Sequence, residues 1–100
     1  KSVEAEEFST ILVEQAVELI DVRTVKEFQR QHLKEAKHIP LGELTNRVVE
    51  VDLETTVYVI CQSGVRSKKA IIKMQELFPG KDFVNVSGGM NQMKNYVDTY

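Results

Sequence analysis

The chain offers one side chain suited to covalent chemistry, its only cysteine, Cys61. Cys61 closes the run Thr56-Val57-Tyr58-Val59-Ile60 and is followed by Gln62-Ser63-Gly64-Val65-Arg66-Ser67. The thiolate is the nucleophilic form of cysteine. It is favoured at a helix N-terminus, beside a fixed positive charge, or where backbone N–H groups converge. Ser63 and Gly64 are small enough for a tight turn, a helical pattern starts at about Gly64, and Arg66 brings a full charge. The arrangement predicts a thiolate-rich Cys61 whose loop N–H groups, from Gln62 to Ser67, hold an anion built on the sulfur. Position alone leaves open a second reading, a buried and inert cysteine at a strand end.

The remaining polar candidates are weighed against this loop. Asp21 and Arg23 read as structural, with Arg23 paired to Glu27 and Asp21 bonded to nearby backbone. His32 and His38 are candidate general bases for Cys61. Lys69 and Lys73 stand one helical turn apart, placed to attract an anionic substrate or an acidic partner, or simply to face solvent. Gly88-Gly89 reads as a tight turn before a helix, at the border of the pocket. A single cysteine forms no internal disulfide and no Cys-x-x-Cys pair, and it excludes a zinc site built on several cysteines.

The elements that position Cys61 are legible in the pattern. Phe8, Ile11 and Leu12 have helical spacing, with Glu4, Glu6 and Glu7 near the helix start. Leu19-Ile20-Asp21-Val22 reads as a buried strand. Thr24-Val25-Lys26-Glu27 matches a capping box for a short helix with Val25 and Phe28 inward. Ala36 to Ile39 reads as a strand stopped by Pro40, and Leu41, Leu44 and Val48 as one helix face. Thr56 to Ile60 is the strongest strand, β-branched or aromatic throughout and with no polar alternation beyond its first residue. A helix from about Gly64 to Phe78 carries Ala70, Ile71, Met74, Leu77 and Phe78 inward and ends at Pro79-Gly80. Phe83 to Val86 is a last strand, and Met90, Met93, Tyr96 and Val97 mark a closing helix. Strands alternating with helices predict an α/β sandwich with a mainly parallel sheet, whose ligands bind beyond the carboxyl ends of the strands. Cys61 lies at that edge.

Composition is compatible with this reading. The 100 residues, expected to form a single domain over 1–100, are 42% hydrophobic and 28% charged, which excludes a disordered tail, a collagen repeat and a coiled coil. A net charge of −2 gives no electrostatic case for binding nucleic acid or an anionic membrane. No apolar run is long enough to span a bilayer, and Lys1 to Thr10 does not read as a secretory leader. The expectation is a reducing compartment, the cytoplasm, and a start at Lys1 fits either a trimmed chain or a module of a longer protein.

Four segments, in order, resemble the signatures of the single-domain rhodanese family. They are Leu19-Ile20-Asp21-Val22-Arg23 with Glu27-Phe28, then His32-Leu33 with Ala36 and Ile39-Pro40-Leu41. Tyr58 to Ser67 follows, and then Ser87-Gly88-Gly89-Met90. The resemblance covers nearly the whole chain. It implies a rhodanese-like three-layer sandwich, a five-stranded mainly parallel sheet with helices on both faces, and a persulfide carried on Cys61. It also places His32 in a turn, away from catalysis. Gln31, Lys34-Glu35 and Met93 depart from the family pattern at turns or packing positions, which bears on the rim of the pocket. Four residues separate Cys61 from Arg66, whereas cysteine phosphatases and arsenate reductases on this fold use one more. The shorter loop resembles the sulfurtransferase form. Arginine at the sixth loop position resembles thiosulfate-using members, where mercaptopyruvate-using relatives usually carry threonine.

The resemblance therefore implies an enzyme that moves a sulfane sulfur from a small anionic donor such as thiosulfate to cyanide or a thiol. Cys61 would be the nucleophile, Gln62 to Ser67 the binding loop, and Arg66 the residue that shapes the loop or orients the donor. No metal or organic cofactor is required, and the acceptor would be an external thiol or protein cysteine. A sulfur-relay or sensing module of a larger protein is the second expectation, a small phosphatase the third, and a non-catalytic interaction domain the fourth. Inserting one small residue between Val65 and Arg66 is expected to abolish sulfur transfer by widening the loop to the phosphatase count. Transfer at near wild-type rate in a folded insertion mutant would refute the argument from loop length.

Overall fold

The computed structural model describes residues 1–100. Its elements run β1 (Ser2–Glu4), α1 (Ala5–Glu14), β2 (Glu18–Asp21), α2 (Val25–Arg30) and β3 (Ala36–His38). Two short 3₁₀ segments, Leu41–Glu43 and Thr45–Glu50, precede β4 (Val57–Ile60), α3 (Val65–Leu77), β5 (Phe83–Ser87) and α4 (Gly89–Met93). The five strands form one sheet in the order β1-β5-β4-β2-β3, parallel throughout. β4 is thus the middle strand, with β5 and β2 on either side.

Strand side chains alternate between faces, so the three central strands, β2, β4 and β5, feed two cores. Ile20, Val57, Val59 and Phe83 pack with Ala70, Ile71 and Met74 of α3 and with Leu44 on one face. Leu19, Ile60, Val84 and Val86 pack with Phe8 of α1 and with Met90 and Met93 of α4 on the other. A sheet covered on both faces explains why the strands read as continuous apolar runs. The three-layer α/β sandwich implied by the sequence is the fold observed.

Several local expectations are corrected. β1 has no readable pattern, because only Val3 of its three residues is buried, and its strand identity comes from pairing with β5. Val25 is 52% exposed, since α2 lies at the carboxyl edge of the sheet and buries no residue fully. Phe28 instead stacks between the rings of His32 and His38, with centroids 3.9 and 4.3 Å away. Leu77 is exposed because the buried stripe of α3 runs Ser67, Ala70, Ile71, Met74 and on to the partly buried Phe78. The helix expected through Leu41, Leu44 and Val48 is two 3₁₀ segments, the second kinked at Arg47, although all three side chains still reach one core. α4 stops at Met93, so Tyr96 turns outward.

The largest electrostatic feature of the interior is a buried ion pair at the end of β2. Asp21 is fully buried and Arg23 is 2% exposed. Arg23 Nε lies 3.0 Å from Asp21 Oδ1 and Nη2 lies 2.8 Å from Oδ2, a two-pronged contact. The Arg23 backbone N–H also donates to Asp21 Oδ1. Arg23 is therefore paired with Asp21 and not, as the sequence suggested, with Glu27, of which it touches only the backbone carbonyl. The Glu27 carboxylate is instead claimed by Arg66. Arg23→Met is expected to cost about 3–5 kcal/mol of unfolding free energy, because it strands a buried carboxylate. The cost should read out in urea titrations, and a loss below about 1 kcal/mol would show the pair to be dispensable for stability.

Candidate active site

Cys61 emerges from the carboxyl end of β4 as a fully buried residue. Its sulfur accepts the Gly64 backbone N–H at 3.0 Å and lies 3.4 Å from the Ser67 hydroxyl. Gly64 achieves this by adopting φ +97°, left-handed backbone that most side chains resist, and it serves as the residue preceding the first turn of α3. α3 follows at Val65, so its first turn stands over the sulfur.

The loop is locked from the other side by α4. The Met90 N–H donates to the Cys61 carbonyl at 2.9 Å and the Asn91 N–H to the Gln62 carbonyl at 3.0 Å. A side chain on Gly89 would place its Cβ 2.2 Å from the Cys61 carbonyl oxygen. Only glycine permits this approach, which is why the Gly88-Gly89 turn borders the loop. The Gln62 side chain is spent on structure, accepting from Arg23 Nη1 at 3.0 Å and donating to Asn91 Oδ1 at 2.7 Å. Val65 and Ser63 face outward, while Gly64 and Ser67 are buried.

Burial pushes the Cys61 thiol up. Hydrogen bonds from the Ser67 hydroxyl and from the N–H groups of Ser67, Ser63 and Gly64 outweigh it, leaving the thiol below its ordinary range. Ser67 has one hydroxyl proton and two partners, Cys61 Sγ and the Asn85 amide oxygen. When Cys61 is a thiol its S–H can donate to the Ser67 oxygen while the Ser67 hydroxyl donates to Asn85 Oδ1. When Cys61 is ionised the Ser67 proton can turn to the sulfur. Asn85, buried in β5 and reaching toward the Gly64 carbonyl, is a site residue that motif reasoning missed. The available signal was one amide within the apolar run Phe83-Val84-Asn85-Val86.

Arg66 does not stand as an isolated charge. Its Nη1 and Nη2 bond Glu27 Oε1 and Oε2 at 2.7 and 2.9 Å. Glu27 also closes the capping box, with Thr24 N–H donating to Oε1 at 3.0 Å and the Glu27 N–H donating back to Thr24 Oγ1. The Arg66 contact holds the Glu27 carboxyl at about 2, well below its ordinary value. Sequence reading gave Glu27 its cap but not this pairing, because the partner lies 39 residues away.

The other candidates lie apart from the sulfur. His32 Nδ1 donates to the Phe28 carbonyl and His38 Nε2 to the Arg23 carbonyl, and neither ring bonds Cys61. Lys69 and Lys73 are exposed on α3. A surface depression of about 550 Å³ lies between α1 and the C-terminal residues and includes nothing from Cys61 to Ser67. No helix is long and apolar enough to cross a membrane. No cluster of side chains suited to a metal ion is present.

Comparison with known proteins gives this geometry a family context. The family model described as "Rhodanese-like domain" matches residues 4–96. Thiosulfate sulfurtransferase PspE of Escherichia coli is 33% identical over 76 residues, spanning 74% of this chain and 71% of PspE. YrkF of Bacillus subtilis is 35% identical over 77 residues, which is 77% of this chain but only 41% of YrkF. The chain thus spans about two fifths of that relative. The crystal structure of a rhodanese-like domain protein from Staphylococcus aureus superposes with a TM-score of 0.86 at 32% identity, covering 93% of this chain and 90% of that one.

Ser67→Ala removes one of the hydrogen bonds that hold the Cys61 thiol down, so the thiol should titrate at higher pH than in the wild type. Alkylation rate against pH reads this directly, with the mutant slower at neutral pH and equal to wild type once both are fully ionised. An unshifted profile would show that the backbone N–H groups alone set the acidity of Cys61.

Proposed function

Because the chain belongs to the rhodanese-like domain family, we propose that it is a sulfurtransferase in which Cys61 carries the transferred sulfur as a persulfide. The observation that carries this reading is the Cys61 sulfur at the end of the central strand, accepting the Gly64 N–H inside a loop that closes with Arg66. The Cys61 thiolate attacks the outer sulfur of a donor such as thiosulfate. A new S–S bond forms at Cys61, the S–S bond of thiosulfate breaks, and sulfite departs with the bonding electron pair. The persulfide anion left on Cys61 lies among the N–H groups of the loop, which favour it as they favour the thiolate. A thiolate or cyanide then takes the outer sulfur and returns Cys61 to its starting state.

The chain has no second cysteine to resolve the persulfide, so the acceptor comes from outside as a small thiol or a protein cysteine. That requirement suits a reducing compartment such as the cytoplasm. No metal or organic cofactor enters any step. A second reading, a sulfur-relay module within a longer protein, is favoured by the match to only 41% of YrkF. It uses the same persulfide, with a fused or bound partner as donor or acceptor. A phosphatase is disfavoured by the four-residue spacing between Cys61 and Arg66.

Thiosulfate without acceptor is expected to leave the intact chain heavier by one sulfur atom. The added sulfur should map to Cys61, vanish on adding cyanide or excess thiol, and be absent from a folded Cys61→Ser. The loading rate should rise with pH through an apparent pKa below the ordinary thiol range, following the depressed Cys61 thiol. No added mass from thiosulfate or from any persulfide donor would overturn the enzyme reading.

A further inference from the structure

We propose that Glu27 sets the charge preference of this site: by compensating Arg66 it removes most of the advantage a dianionic sulfur donor would otherwise have over a singly charged one. The proposal rests on the sulfurtransferase reading and deepens it, by naming the residue that selects among donors.

Glu27 is held from two sides. Oε1 accepts from the Thr24 N–H at 3.0 Å, the Thr24 hydroxyl at 3.1 Å and Arg66 Nη1 at 2.7 Å, and Oε2 accepts from Arg66 Nη2 at 2.9 Å. Four bonds from two helices leave the carboxylate little freedom to swing aside when a donor arrives. Both Nη groups of Arg66 are engaged, so its strongest two-pronged face is already occupied by a carboxylate. Its free donors must bridge Glu27 and any incoming anion.

Charge accounting leads to the same conclusion. At the carboxyl edge of β2 and β4, Asp21 is neutralised by Arg23 and Glu27 by Arg66. Arg66 stands in the first turn of α3, next to Ser67, whose hydroxyl lies 3.4 Å from the Cys61 sulfur. Glu27, held at about 2, stays ionised across the neutral range, so the compensation is constant. Once Cys61 ionises, the local formal charge is negative. The anion is then held by N–H dipoles, and the one cation within the loop, Arg66, is already paired with Glu27. A donor with two negative charges meets more repulsion here than one with a single charge.

Thiosulfate and benzenethiosulfonate provide matched probes. Both present a sulfane sulfur on a sulfonyl group, but the first is a dianion and the second a monoanion. The readout is the ratio of their kcat/KM values with cyanide as acceptor, after intact mass has confirmed sulfur loading of the wild type. Glu27→Gln keeps a residue type suited to the capping box and deletes one negative charge. It should raise the thiosulfate-to-benzenethiosulfonate ratio about three- to thirtyfold, less so at high salt. Arg66→Gln should lower the ratio. The Glu27→Gln/Arg66→Gln double variant, whose pair is again neutral, should return the ratio close to wild type even if both absolute rates fall. If the ion pair only staples α2 to α3, each variant changes both donors by the same factor and the ratio does not move, which overturns the proposal. If the wild type loads sulfur from neither donor, the sulfurtransferase reading falls and takes this proposal with it. Loading with an unmoved ratio removes the proposal alone.

Discussion

The site depends on one buried arginine. Arg23 spends its side-chain donors on Asp21, on the carbonyls of Glu27 and Gln31, and on the Gln62 amide oxygen. These partners belong to β2, to both ends of the α2 segment and to the loop after Cys61. A guanidinium suits this task because its donors diverge in a fixed plane and it never loses its charge. Burying it in isolation would be prohibitive, and Asp21 makes it tolerable at the same point in the chain. The result is a rigid joint between the second strand and the cysteine loop. The Arg23 carbonyl accepting from His38 adds β3 to the same joint. The contact of Arg23 with the Glu27 carbonyl also ties α2, and with it the acid that reaches Arg66, to β2.

With the frame fixed, the loop solves a conflict between burial and ionisation. A cysteine removed from water resists becoming a thiolate, yet a thiolate is what reacts. The opposing contribution here comes from short-range dipoles. Gly64 N–H points at the sulfur because its backbone is left-handed, and Ser67 points at it because α3 begins where it does. Gly89 matters from outside the loop, since its missing side chain lets the Met90 and Asn91 N–H groups grip the Cys61 and Gln62 carbonyls. Those carbonyls are thereby bound outside the cradle, and the N–H groups are left to face the sulfur. Fixed dipoles of this kind do not need to reorganise when charge appears.

Contacts that are local along the chain were the legible ones. The apolar strands, the Thr24–Glu27 box and the Cys61-to-Ser67 loop each lie within a few residues, so composition and spacing expose them. The Glu27–Arg66 and Ser67–Asn85 contacts join residues 39 and 18 apart, and no pattern within one segment encodes which partner a side chain meets. Arg23 illustrates the limit: an i, i+4 acid was the natural partner on spacing, but the chain leaves β2 with Asp21 already beside it. β1 was invisible for a different reason. A three-residue edge strand has one buried side chain, and its identity resides in backbone pairing with β5 rather than in its own residues.

The same features bear on what such a loop can accept. Cys61 is fully buried, so a reactant that presents one protruding atom suits it better than one that must bring its bulk to the sulfur. An outer sulfur attached to a larger group fits that demand, whereas a phosphoryl group would need its oxygens accommodated around the sulfur at once. Four residues between Cys61 and Arg66 leave the N–H groups close to the sulfur, with Gly64 already in contact at 3.0 Å. Closure of the loop and the pairing of Arg66 with Glu27 act in the same direction. One limits the size of what approaches the sulfur and the other its charge, and both follow from where α2 and α3 begin relative to the carboxyl ends of β2 and β4.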